Sequence, residues 1–164
     1  MNKRISIGKK SELDEYFRNL LPEISKKEII SVLPYDDWEH GVLESAGFTD
    51  ENNVFVNDQG FAIIFKDHSY LYLYKPSVSH IFIHYSQLDE DNIRKVESFN
   101  RKDLLNSNGY SFTYGNVVSI ETDSNTESLG SVIIKMKNGN ELKFDNESEE
   151  FKGYMNMTVK GLNK

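Results

Sequence analysis

The residues of this chain best suited to acid–base or metal chemistry near neutral pH are its four histidines, His40, His68, His80 and His84. His80 and His84 have the H-x-x-x-H spacing that, on a helix, brings two imidazoles to one metal ion. The surrounding HIFIHY alternates and reads as a strand, along which positions four apart are separated by about 13 Å. Shared ligation is therefore not expected. Asp89-Glu90-Asp91 offers carboxylate oxygens, but a calcium loop starting at Asp89 would need a ligand where Ile93 stands and glycine where Arg94 stands. The stretch reads as a solvated acidic turn. Ser6-Ile7-Gly8-Lys9 matches S-x-x-K without its companion motifs, and there is no G-x-S-x-G, glycine-rich phosphate loop or H-E-x-x-H. The carboxylate pairs Asp36-Asp37 and Glu149-Glu150 are adjacent in sequence. Any acid/base pair for hydrolysis would have to be assembled by the fold. With no cysteine, disulfides, zinc–thiolate sites, iron–sulfur clusters and thiol catalysis are excluded. No catalytic residue, metal or cofactor is assigned.

Two features suit binding instead. YLYLY (Tyr70 to Tyr74) and HIFIHY (His80 to Tyr85) read as the arms of a hairpin across residues 75–79. Alternation sends Leu71, Leu73, Ile81 and Ile83 toward a core and leaves Tyr70, Tyr72, Tyr74, His80, Phe82 and His84 on the other face. Rings with polar tips are enriched at protein interfaces. The competing reading is that a helix covers this face, so that the tyrosines are core residues with satisfied hydroxyls. The second feature is acidic: Asp36, Asp37 and Glu39 around Trp38, together with Asp89, Glu90 and Asp91. A carboxylate patch with an embedded aromatic suits a basic partner, although solvated loops also account for it.

The elements that must position these residues follow from length and pattern. A chain of 164 residues fits one domain, and its 38% apolar content can supply a core. The net charge is −7, with no Lys/Arg cluster larger than pairs such as Lys26-Lys27. Nucleic acid and anionic membranes are disfavoured as partners, and a basic protein is favoured. MNKRISIGKK has no apolar region behind its basic start, and no apolar run reaches the length of a bilayer span. A cytoplasmic location is expected, with the sequons at Asn146 and Asn156 as chance matches.

Ser11 resembles a cap for a helix with Leu13, Tyr16, Phe17, Leu20 and Leu21 on one face, ended by Pro22. Ser25-Lys26-Lys27-Glu28 reads as a capping box for a second helix through Ile29, Ile30 and Leu33. Residues 35–48 are ambiguous, with Trp38, Val42 and Leu43 able to line a third. From about Val54 the period becomes two, with a strand at Phe61–Lys66, the hairpin over 70–85, and one or two more strands at 110–114 and 117–122. Asn138-Gly139 between Val132–Lys137 and Glu141–Phe144 predicts a type I′ hairpin. Residues 89–105 are mixed, with room for a helical turn. Phe151, Tyr154, Met155, Thr158, Val159 and Leu162 predict a helix over 148–162. The fold class is thus α+β: a single domain over 1–164, with N-terminal helices (1–48) packed on an antiparallel curved sheet or partial barrel (54–145), closed by a C-terminal helix.

The pattern of YLYLYKPSVSHIFIHYSQL (70–88), YGNVVSIE (114–121), VIIKMKNGNELKF (132–144) and the last helix resembles a bacterial pleckstrin-homology-like barrel over the last hundred residues. Such domains bind lipids or peptides, but the basic pocket of the lipid binders has no counterpart here. In size, acidity and lack of cysteine, the chain also resembles small acidic bacterial immunity proteins that neutralise toxins. That likeness covers no motif and transfers no residue. The expected function is a non-enzymatic, partner-binding protein of the immunity or antitoxin type that occludes a basic toxin domain encoded nearby. The alternatives are a small-molecule or nucleotide-binding module and an enzyme with a fold-assembled site.

Overall fold

The structure is a computed structural model, describing residues 5–34, 47–49, 54–57, 60–77, 80–99, 104–106, 111–123, 129–145 and 155–163. In chain order its elements begin β1 (Ile5–Ile7), α1 (Lys10–Ile24), β2 (Ile29–Pro34), β3 (Gly47–Thr49), β4 (Val54–Asn57), β5 (Phe61–Phe65) and β6 (Ser69–Ser77). They continue β7 (His80–Gln87), α2 (Glu90–Phe99), a 3-10 turn at Leu104–Asn106, β8 (Val117–Asp123), β9 (Ser131–Met136), β10 (Glu141–Asp145) and β11 (Met155–Lys160). The described chain is mostly β. Sheet 1 has the order β1-β7-β6-β5-β2 and sheet 2 the order β3-β4-β11-β10-β9-β8, both antiparallel.

The two sheets share one core. Leu71, Leu73, Ile81 and Ile83 of sheet 1 are buried with Val132, Ile134, Leu142, Phe144, Met157 and Val159 of sheet 2. Phe61 and Phe144 meet across it with ring centroids 6.0 Å apart. The helix α1 adds Leu13, Phe17, Leu20 and Ile24 to the same core. These lie at spacings that repeat one helical face. A second core lies on the outer face of sheet 1, where Val96 and Ile93 of α2 pack on Ala62, Ile64, Tyr70 and Tyr72. The sheets meet at a corner, where Glu28 bridges Asn116 and Val117 N donates to Lys27 O at 3.1 Å.

The hairpin over 70–85 is present, pairing Tyr72 with His84 and Tyr74 with Phe82. The α+β expectation is overturned in three places. The second helix is the strand β2: Ile29, Ser31, Val32 and Leu33 are at most 1% exposed and pair with β5. A strand buried on both faces loses its polar alternation and reads as an undifferentiated apolar run. The C-terminal helix is absent from the described residues, and β11 stands there instead. Met155 and Val159, four apart, satisfy helical and strand periods alike. The buried Met157 between them belongs only to the strand pattern. Of the one or two strands expected over 110–122, β8 is present, and the described part of 110–114 makes an isolated bridge from Ser111 to Asn163. Finally, Pro22 lies inside α1, in its last turn, and Ser11 does not cap it: Lys9 holds that position without a side-chain bond. Continuing past the proline places Ile24 in the core with no exposed surface. Of the proposed third helix, residues 35–46 lie outside the description and 47–49 form β3.

The Asn138-Gly139 hairpin is present with a different turn. Gly139 alone is left-handed (φ 91°), and its N–H donates to Met136 O at 3.0 Å. This matches the three-residue loop closed by a left-handed glycine; type I′ needs positive φ at both central residues.

Candidate functional site

The densest described polar cluster is one that the linear sequence hides. Lys27, just before β2, reaches the β5–β6 turn: Nζ lies 2.6 Å from Asp67 Oδ2 and donates to Ser69 Oγ at 3.0 Å and the Tyr85 hydroxyl at 2.6 Å. Ser69 donates its hydroxyl (2.6 Å) and its N–H (2.9 Å) to Asp67 Oδ1. The ammonium also sits 5.3 Å from the Tyr85 ring centroid and 6.0 Å from that of Phe65.

A serine touching both a lysine and an aspartate has the parts of a nucleophile and base, but their protonation does not suit that role. Burial would lower the Lys27 pKa, yet hydrogen bonds to Asp67 and Tyr85 outweigh it and raise the pKa above 10.5. An amine held as ammonium cannot take the serine proton. Burial likewise opposes ionisation of Asp67, but bonds from Lys27 and Ser69 win and bring its pKa down to about 2. Burial, aided by Glu23, pushes the neighbouring Tyr16 phenol up to about 12, so it stays neutral. The cluster is an anchor that ties the start of β2 to sheet 1.

That anchor has a pH signature. Asp67 is depressed in the folded state from the ordinary 3.8 to about 2. Its contribution is therefore present above about pH 4 and lost as the pH falls toward 2. Lys27, raised, contributes fully below its unfolded pKa of 10.5, so its part is lost only in strong alkali. With side-chain exposures of 25% and 49%, solvent screening limits the pair to under about 1 kcal/mol. Urea unfolding of the parent and Asp67→Asn should show that gap at pH 7, closing between pH 4 and 2. A gap independent of pH would remove the ion pair as its cause.

The expected aromatic face is divided by α2. Tyr70 and Tyr72 are buried beneath it, 8% and 2% exposed. The helix on this face is α2. The Tyr70 hydroxyl lies 3.2 Å from Nδ1 of the half-buried His84, whose ring meets Tyr70 edge-on at 5.5 Å. Toward the hairpin turn the rings are less deeply buried. Tyr74 and Phe82 are half-buried and stacked, with centroids 6.1 Å apart and planes at 18°; exposed His80 follows at 6.3 Å from Phe82. Tyr74, Phe82 and His80 therefore form a shelf on the outer face of sheet 1, flanked by His84.

The acidic residues Asp89, Glu90 and Asp91 are all exposed, but two carry structural bonds. Asp89 Oδ1 accepts from Asn92 N at 2.8 Å and so caps α2, while Asp91 pairs with Arg94 one turn on. Glu90 is acidic in the first turn, where the helix dipole favours it. Asp36, Asp37, Trp38 and Glu39 lie outside the described residues. Among the described residues no group of three or more His, Asp or Glu side chains could hold a metal, and no helix is long and apolar enough to cross a membrane.

Comparison with known proteins gives no match to a protein family, a curated protein or a solved structure.

Proposed function

We propose that the chain is a non-enzymatic partner-binding protein of the immunity type, occluding a basic toxin domain. The observation that supports this reading most directly is the Tyr74–Phe82–His80 shelf, where stacked rings are only half-buried on the outer face of sheet 1 and end at an exposed histidine. Partly exposed aromatics with polar tips are the usual energetic anchors of protein interfaces. A net charge of −7 speeds encounter with a cationic partner and selects against acidic ones.

The test is co-expression with the protein encoded beside it. A one-to-one complex is expected, and Phe82→Ala or Tyr74→Ala should weaken it by about 30-fold, the effect of losing about 2 kcal/mol at an anchor. Glu90→Lys should weaken it less and flatten its salt dependence, without removing the cap at Asp89. Failure to form a complex, or unchanged affinity in folded Phe82→Ala and Tyr74→Ala variants, would count decisively against the proposal.

A further inference from the structure

The free edge of sheet 2 carries a second surface, independent of the aromatic shelf. The terminal strand β8 pairs with β9 on one side. On the other, its start is held at the corner, where Val117 exchanges backbone bonds with Lys26 and Lys27. From Ser119 to Asp123 no backbone partner stands on that far side among the described residues. Edge strands are commonly blunted with charges, above all lysine, with proline or with a bulge; β8 has no lysine or proline, and beyond the bulge at its start only the acidic Glu121 and Asp123 guard it. Val118, beside the bulge, is 49% exposed and is the one large apolar side chain so exposed among the described residues.

A groove of about 690 Å³ lies against this edge. Ile120 and Thr122 line it, and their partners across the pair, Ile134 and Val132, are core residues. Glu121, which points to the opposite face of the strand, lines it too. Ile133 of β9, the cross-strand partner of Glu121, lines it as well, so the groove wraps the β8 edge and includes the place of the next strand. Phe17 and Leu21 of α1 form its apolar wall. With strands about 4.8 Å apart, about 3.3 Å per residue and about 10 Å of depth, the space fits roughly four extended residues.

We propose that β8 is a strand-addition site for an extended segment of a basic protein partner. The segment's main chain pairs with Ser119–Asp123, one set of alternate side chains packs on Phe17 and Leu21, and the other places Lys or Arg opposite exposed Glu121. Such a pair would continue a pattern already present on sheet 2, where Glu121 pairs with Lys135 and Glu141 with Lys160. Asp14 on the helix lip accepts from the Thr122 hydroxyl at 2.6 Å through Oδ1 and adds its negative charge to the groove; Arg18, without an ion pair among the described residues, is left to meet main-chain carbonyls.

The probe is an octapeptide of alternating lysine and valine, added to the full chain labelled with nitrogen-15. Amides of residues 119–123 should shift, with hydrogen exchange slowed about tenfold or more in the complex. Methylating alternate peptide nitrogens, or replacing lysine by glutamate, should weaken binding about tenfold or more. Tyr74→Ala and Phe82→Ala should leave it unchanged, which separates this surface from the shelf. Shifts confined elsewhere, equal binding of the methylated peptide, or a free chain already dimerised through β8 with those amides protected would each overturn the proposal.

Discussion

Gly60→Ala is expected to destabilise the protein by about 3–5 kcal/mol, among the largest effects of any single substitution. Gly60 has φ +94°, and a Cβ there would lie 2.3 Å from the Leu73 carbonyl oxygen and 2.8 Å from Tyr74 Cβ. The obstruction is backbone, so relief requires β5 to move away from β6. Gly139 provides the control. Its φ is +91°, but an added Cβ meets nothing within 4 Å, so Gly139→Ala should cost only about 1–2 kcal/mol for the left-handed conformation. Chemical denaturation of both variants measures the difference directly. Equal losses would mean that conformation alone, and not the approach of β6, governs Gly60.

Phe144→Ala should be comparably severe. Its ring is fully buried, faces Phe61 across the two sheets and belongs to their shared core. Truncating a buried phenylalanine removes its transfer energy and leaves a cavity, together about 3–5 kcal/mol. In a domain of this size that lowers Tm by about 10 °C. Phe144→Leu should retain more than half of the lost stability, because it refills most of the volume. A Tm change of a degree or two in Phe144→Ala would show that the sheets do not depend on this contact.

Those core contacts were legible where one strand face is aliphatic and the other aromatic, as in β6 and β7. Alternation identified Leu71, Leu73, Ile81 and Ile83 as inward. It could not say what covers the outer rings, because α2 reaches them only after the chain turns at Leu88, and the single pair Ile93 and Val96 is too short a pattern to mark a helix face. β2 was illegible for a different reason: its Ser25–Glu28 prelude has the residue types of a capping box. Yet Lys26 adopts φ 77° and turns the chain into a strand. Local side-chain chemistry was consistent with both outcomes, and pairing with β5 decided it. β11 failed through coincidence of periods at Met155 and Val159.

The polar anchor was the least legible feature. Lys27 and Tyr85 are separated by 58 residues, and Lys27 and Ser69 by 42; no spacing rule joins them. The one local trace is the Asp67-His68-Ser69 turn, in which an aspartate accepts from the amide two residues on. For the aromatic shelf the residue types were visible, but the division between buried Tyr72 and half-buried Tyr74 is set by tertiary packing that alternation does not encode.

The position of β11 bears on how the molecule is made. This strand lies between β4 and β10, pairing Met157 with Phe55 on one side and with Phe144 on the other. A ribosome therefore releases β4 about a hundred residues before the strand that completes its pairing. At translation rates of about 5–20 residues per second, that delay is about 5–20 s. Sheet 1, whose β5-β6-β7 meander is continuous in sequence, can form first. The nascent chain then carries Phe55 without its neighbour until residues 155–160 emerge, an interval in which chaperones have the greatest opportunity to act on it.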